Sequence, residues 1–189
     1  QGFVFSPNST YLALKRKPAN AGAGNGRGAG GGGGDQGGGA QGGGGGSGAN
    51  ATPPGPRGTD VILHNLATGR DQLLGSVGDI AFNKTGDFLA YTVDAAVKDG
   101  NGLFVIDLAS GRVQPLDNDA KSYNRLTWSE DGKALAVVKG ADVDKMRERD
   151  NLLIAFTDVK AALGDPEAAP AVLDPAKAAG FPKGWVVSD

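Results

Sequence analysis

Two ten-residue segments, Phe82-Asn83-Lys84-Thr85-Gly86-Asp87-Phe88-Leu89-Ala90-Tyr91 and Trp128-Ser129-Glu130-Asp131-Gly132-Lys133-Ala134-Leu135-Ala136-Val137, align without a gap, 46 residues apart. Phe5-Ser6-Pro7-Asn8-Ser9-Thr10-Tyr11-Leu12-Ala13-Leu14 is a third copy. A period in the forties, built from short apolar runs around a turn, marks a β-propeller or another stacked all-β array. A second match supports it: Val61 to Arg70 aligns with Leu103 to Arg112 at an offset of 42.

Each unit predicts four short antiparallel strands. Runs such as Leu103 to Leu108, rich in β-branched and aromatic residues, suit a half-buried strand. Gly69 and Gly111 stand where a tight hairpin needs a positive φ, so the chain should reverse there into a second strand, 72–74 or 114–116. A polar connection then leads to a third strand over 79–82 or 125–128. The turns Lys84-Thr85-Gly86-Asp87 and Glu130-Asp131-Gly132-Lys133 return it as a fourth, over 88–93 or 134–138. Four strands per repeat is a propeller blade. The expected fold is therefore all-β, a partial β-propeller of about three and a half four-stranded antiparallel blades.

Its segments are 3–16, 60–93, 102–139 and 151–189, within one unit of 1–189. Asn151 to Thr157 opens the last of these, with a helical turn expected over 159–163. A charged run, 141–149, is read as a short helix or exposed loop. Residues 18–58 hold twenty of the chain's 33 glycines. Backbone entropy with little apolar surface to bury predicts a disordered insertion between blades. The first two Phe-centred copies are 77 residues apart rather than 46, an excess close to the length of that tract. Loop entropy grows slowly enough with length for a propeller to carry it.

The chemistry that the residues offer is sparse. A formal net charge of −2 argues against a phosphate-backbone partner, so no nucleic acid is expected. With no cysteine, disulfides and thiolate chemistry are excluded. No apolar run approaches a membrane span, and no leader precedes Gln1, although both ends read as cut. Gly26 to Gly31 fits a dinucleotide fingerprint formally but lacks the flanking strand and helix, so no cofactor is expected. Arg27 and Arg57 without interleaved aromatics make a poor RNA segment. His64, the one histidine, aligns with Ile106 and is read as a sheet residue. Gly75-Ser76-Val77-Gly78 is the nearest approach to a nucleophile turn and has the wrong spacing. Asp117, Asn118 and Asp119, with Asp142 and Asp144, lack the spacing of a calcium loop and read as turn chemistry. Phe5, Phe82 and Trp128 share one repeat position and should pack between blades, whereas Trp185 has no counterpart. No catalytic, cofactor-binding or metal-binding residue is assigned.

The turns Trp128-Ser129-Glu130-Asp131-Gly132-Lys133, Phe82-Asn83-Lys84-Thr85-Gly86-Asp87 and Phe5-Ser6-Pro7-Asn8-Ser9 resemble the aromatic-Ser-Pro-Asp-Gly-Lys signature of TolB-like propeller repeats, which also occurs in prolyl oligopeptidase family serine peptidases. Glu148 to Leu153 and Gly180 to Asp189 look like bacterial members of that peptidase family. The resemblance implies a secreted or periplasmic protein whose propeller gates peptide access to a C-terminal α/β-hydrolase domain outside this chain. It places no triad residue on this sequence. The alternative is a TolB-like or WD-type propeller that scaffolds a protein partner. Ser9 departs from the signature glycine, and Asn83-Lys84-Thr85 from Ser-Pro-Asp.

Overall fold

The structure is a computed structural model that describes residues 2–16, 58–141, 143, 149–182 and 184–188. The glycine-rich tract and Asp142, Asp144 and most of the charged run around them lie outside the described residues. Eleven strands are described: β1 (Phe3–Phe5), β2 (Tyr11–Lys15), β3 (Thr59–Asn65), β4 (Asp71–Phe82), β5 (Phe88–Val93), β6 (Gly102–Asp107), β7 (Arg112–Asn118), β8 (Ser122–Trp128), β9 (Leu135–Ala141), β10 (Asp150–Phe156) and β11 (Ala171–Leu173). All pairings are antiparallel between neighbours in sequence. Among the described residues a single α-helix, α1 (Val159–Gly164), stands where the helical turn was expected, capped by the Asp158 side chain accepting from the Ala161 N–H.

The long strand β4 belongs to two sheets. Its first part pairs with β3, Leu73 opposite Ile62, and its last part pairs with β5, Ile80 opposite Tyr91. Between them the register breaks on both sides, and Ser76 takes φ 52°. Hydrogen bonding runs unbroken from β1 to β7 and separately from β8 to β11. Dividing the first run at the β4 bulge gives three sets of four: β1, β2, β3 and the start of β4; the end of β4, β5, β6 and β7; then β8 to β11. The chain is a partial β-propeller. The expected polar connection over 75–78 is replaced by a bulged, continuous strand, because Val77 is buried and the Ser76 carbonyl accepts from the Asp94 N–H, which keeps the ladder running. At the next link a connection does separate β7 from β8, over 119–121 rather than the 117–124 left between the expected strands.

The unit of pairing and the unit of sequence repetition are out of phase by two strands. Tyr11 to Lys15 pairs with Val61 to Asn65 across the whole glycine-rich tract, so 3–15 and 59–77 make one sheet. Any cyclic cut of a repeat has the same period; hydrogen bonding decides where one blade ends.

Side-chain alternation then builds the core. In an antiparallel strand successive residues face opposite sides. One side of the first sheet presents Ala13, Val61, Leu63 and Leu74, and it packs against Leu89, Tyr91, Ile106 and Leu108 of the second. The reverse side of the second sheet presents Ala90, Leu103 and Val105, and it packs against Leu135, Val137, Ile154, Phe156 and Val159 of the third. We call these the trailing and leading faces. The same contact, trailing face on leading face, is made twice with equivalent residues. Ala13, Ala90 and Ala136 occupy one repeat position, each opposite the corresponding residue of the next strand, Leu63, Val105 and Ala155.

Candidate functional site

The signature turns are the first place where the repeat concentrates polar groups. Ser6 Oγ accepts from the Thr10 and Tyr11 N–H groups, Asn83 Oδ1 from those of Asp87 and Phe88, and Ser129 Oγ from that of Ala134. The three turns are closed by the same repeat position. Ser9, Gly86 and Gly132 follow with φ of 56°, 78° and 74°, the left-handed region that costs glycine nothing.

The first two turns also reach the next blade. Asn8 Nδ2 donates to the Gly86 carbonyl at 3.0 Å, and Asn83 Nδ2 donates to the Gly132 carbonyl at 3.3 Å. A Cβ on Gly86 would lie 2.6 Å from Asn8 Cγ, and one on Gly132 would lie 3.0 Å from the Lys84 nitrogen. Glycine there serves the backbone conformation and the close approach of two blades together. Tyr11 Oη donates to the Leu108 carbonyl at 2.7 Å, and Gln114 Nε2 to the Leu163 carbonyl at 3.1 Å. The polar groups of the repeat are thus spent on closing turns and joining blades.

The aromatic position behaves as the sequence suggests where a blade precedes it. Trp128 packs into the core between the second and third sheets and donates Nε1–H to the Ala81 carbonyl at 3.0 Å. Phe82 packs between the first and second. Phe5, on the leading face of the first sheet, is 53% exposed.

His64 lies on that same leading face, at the position filled by buried Ile106 in the second sheet and by Phe156 in the third. Its Nδ1 is 2.6 Å from Asp71 Oδ1, the half-buried ring meeting an exposed carboxylate on the facing residue of β4. Ser76 sits in the bulge of β4, where its N–H donates to Asp60 Oδ1 at 3.4 Å. The two are placed in different parts of the first sheet and form no nucleophile-base pair.

Asp117 and Asp119 have a defined use. Lys139, on β9, lies 2.7 Å from Asp117 Oδ2 and 3.0 Å from Asp119 Oδ2, and Tyr123 Oη donates to Asp117 Oδ2 at 2.6 Å. This is an ion-pair network between the second and third sheets. The Lys139 hydrogen bond holds the Asp119 carboxyl below the usual carboxylate value despite burial. Burial opposes the charge on Lys139, but hydrogen bonds to both aspartates outweigh it and raise its pKa. Burial, then the Asp117 hydrogen bond, raises the Tyr123 phenol. Sequence reasoning missed this network; its signal was a lysine in register with Leu135 and Val137 on an otherwise apolar strand face.

A cleft of about 740 Å³ lies beside β10, bounded by residues that include Arg149, Asp150, Asp174, Phe181 and Trp185. Trp185 is 69% exposed there. Asn151 Nδ2 donates to the Val187 carbonyl at 2.8 Å, tying the last described segment to β10. Among the described residues no group of three or more His, Asp or Glu side chains is placed to hold a metal ion, and no helix is long and apolar enough to cross a membrane.

No family model and no curated protein matches this chain. Among solved structures it is similar to the β-propeller domain of the Trilobed protease from Pyrococcus furiosus, at 15% identity and TM-score 0.45 over 61% of this chain and 34% of that one. It is similar to TolB from Acinetobacter baumannii at 14% identity and TM-score 0.43, over 82% of this chain and 29% of that one. It is also similar to an acylaminoacyl peptidase from Pyrococcus horikoshii at 11% identity and TM-score 0.42, over 55% and 19%. The chain spans about a third or less of the length of each of these proteins.

Proposed function

We propose that this chain is the non-catalytic propeller portion of a prolyl oligopeptidase type serine peptidase, and that it gates peptide access to an α/β-hydrolase domain outside this sequence. The observation that carries the reading is the use of the signature turns. Ser6, Asn83 and Ser129 close turns, while Asn8, Asn83 and Trp128 bond to the neighbouring blade. The turn signature is therefore architectural, and in the peptidases it resembles, the chemistry resides in the attached domain. In this reading the partner is a short or unfolded peptide admitted past the blades, and the location is periplasmic or extracellular.

The test uses the gene product in its native source. An antibody against this sequence should capture a polypeptide longer than 189 residues that a serine-reactive phosphonate labels, and that cleaves short peptides but not folded proteins. A complete coding sequence without a G-x-S-x-G segment overturns the peptidase reading. The second reading, a protein-binding scaffold, is favoured by one observation: the leading face of the first sheet carries exposed apolar side chains. A stable protein partner together with a lack of phosphonate labelling would select it.

A further inference from the structure

The two junctions between sheets are built alike and finished differently. At the second, β10 does not turn at once into β11: residues 157–170 intervene, and α1 folds back onto β7. Ala162 and Leu163 pack against the core there, and Gln114 Nε2 donates to the Leu163 carbonyl at 3.1 Å. That carbonyl belongs to the last turn of α1, where a helix leaves its own carbonyls without intrahelical partners. At the first junction β6 turns into β7 through 108–111 alone, and among the described residues nothing takes the place of α1 on β4.

The space that α1 fills at the second junction is open at the first. A groove of about 480 Å³ lies there, and Tyr11, Leu63, Arg70, Gln72, Leu108 and Ala109 line it. Leu63 and Leu108 belong to the apolar core beneath. Gln72 is the equivalent of Gln114, since each stands opposite the same repeat position on the strand beside it, Leu63 or Val105. Gln72 is half-buried, and among the described residues its side chain makes no hydrogen bond. The exposed Arg70 guanidinium makes no ion pair or hydrogen bond among the described residues either. Both walls of the groove are described sheets, so it lies within the blade array and not at an end of it.

We propose that this groove binds the C-terminal end of a helix in another protein, a chain-terminal helix that closes on small residues, a leucine and a free carboxylate. The occupant is read from α1, which shows what this repeat position accepts when a helix is supplied. The leucine packs over Leu63 and Leu108 as Leu163 packs at the second junction, and Gln72 Nε2 donates to a last-turn carbonyl as Gln114 does. Arg70 meets the carboxylate and the negative end of the helix dipole, the end that favours a cation. The proposal stands whether the chain gates a peptidase or scaffolds a partner.

Fluorescence anisotropy tests it, with the protein titrated into a labelled alanine-rich peptide of about 16 residues, long enough to be helical alone. The peptide ends in the Ala-Ala-Leu-Gly of 161–164 with a free carboxylate, and circular dichroism establishes its helicity before use. Binding should saturate. Gln72→Ala should weaken it about 2- to 10-fold, the loss of one hydrogen bond. Arg70→Ala, or amidation of the peptide's carboxylate, should weaken it about 2- to 5-fold. Ala109→Trp, which fills the groove from an exposed position, should abolish it. A cooperative melt confirms that each variant is folded, and Thr68→Trp, on the facing hairpin, replaces Ala109→Trp if the latter is not. A lack of saturable binding by the helical peptide overturns the proposal. So does binding that the tryptophan leaves intact, which places the contact elsewhere, or binding indifferent to both Arg70→Ala and amidation, which means that the helix end does not face Arg70.

Discussion

Replacing Gly86 by alanine probes the blade junction at its tightest point. Gly86 has φ 78°, and a non-glycine residue in the left-handed region costs roughly 1–2 kcal/mol. The new Cβ would also lie 2.6 Å from Asn8 Cγ and Nδ2, so the Asn8 side chain must move. Moving it breaks the 3.0 Å bond to the Gly86 carbonyl, worth about 0.5–1.5 kcal/mol, and disturbs the bonds Asn8 makes with Ser6 and Thr10. The expected loss is therefore about 2–3 kcal/mol. Gly111→Ala is the control, because Gly111 has φ 72° but nothing within 4 Å of a Cβ; it should cost only the backbone part, about 1–2 kcal/mol. In an Asn8→Ala background the two glycine substitutions should cost the same, a coupling of about 1 kcal/mol read from urea unfolding at one fixed protein concentration. Equal losses for Gly86→Ala and Gly111→Ala in the wild-type background would refute the argument that Gly86 is set by the neighbouring blade.

Other consequences are open to the same measurements. Ser9→Gly should stabilise the chain by about 1 kcal/mol, because Ser9 holds φ 56° in the position where glycine stands in the other two copies. Ile106→Ala should destabilise it by about 2–5 kcal/mol, since Ile106 is fully buried between two sheets. Trp128→Phe removes the donor to the Ala81 carbonyl and should cost about 0.5–1.5 kcal/mol in urea unfolding. For the Lys139 network, Asp119 is depressed in the folded state, so its contribution is present above the ordinary carboxylate pKa and lost as pH falls through the folded value. Lys139 is raised, so its contribution is present below the ordinary lysine pKa and lost as pH rises through the folded value. The urea midpoint should thus fall at both extremes, and Asp119→Asn should flatten the acid side.

Much of the fold was legible because the repeat records strand alternation directly. The hairpin glycines Gly69 and Gly111 have the positive φ their spacing demanded, at 68° and 72°. The equivalence of His64 with Ile106 in sequence is the equivalence of their strand positions. The phase of the blades was hidden, because a periodic pattern looks the same wherever it is cut, and only the pairing of Leu14 with Ile62 shows which strands share a sheet. The continuity of β4 was hidden as well. Gly75-Ser76-Val77-Gly78 reads as a polar connection, yet buried Val77 anchors it in the ladder. The contacts of Lys139 with Asp117 and Asp119 join residues 20 or more apart in sequence, so local spacing could not reveal Lys139 as their partner.

The central claim is that successive sheets pack leading face on trailing face. Methyl-methyl nuclear Overhauser contacts in the selectively labelled protein test it most directly. Those between Val61 or Leu63 of the first sheet and Leu89 or Ile106 of the second should be present, as should those between Leu103 or Val105 of the second and Val137 or Ile154 of the third. Cross-strand contacts within each sheet without any of these contacts between sheets would contradict the account.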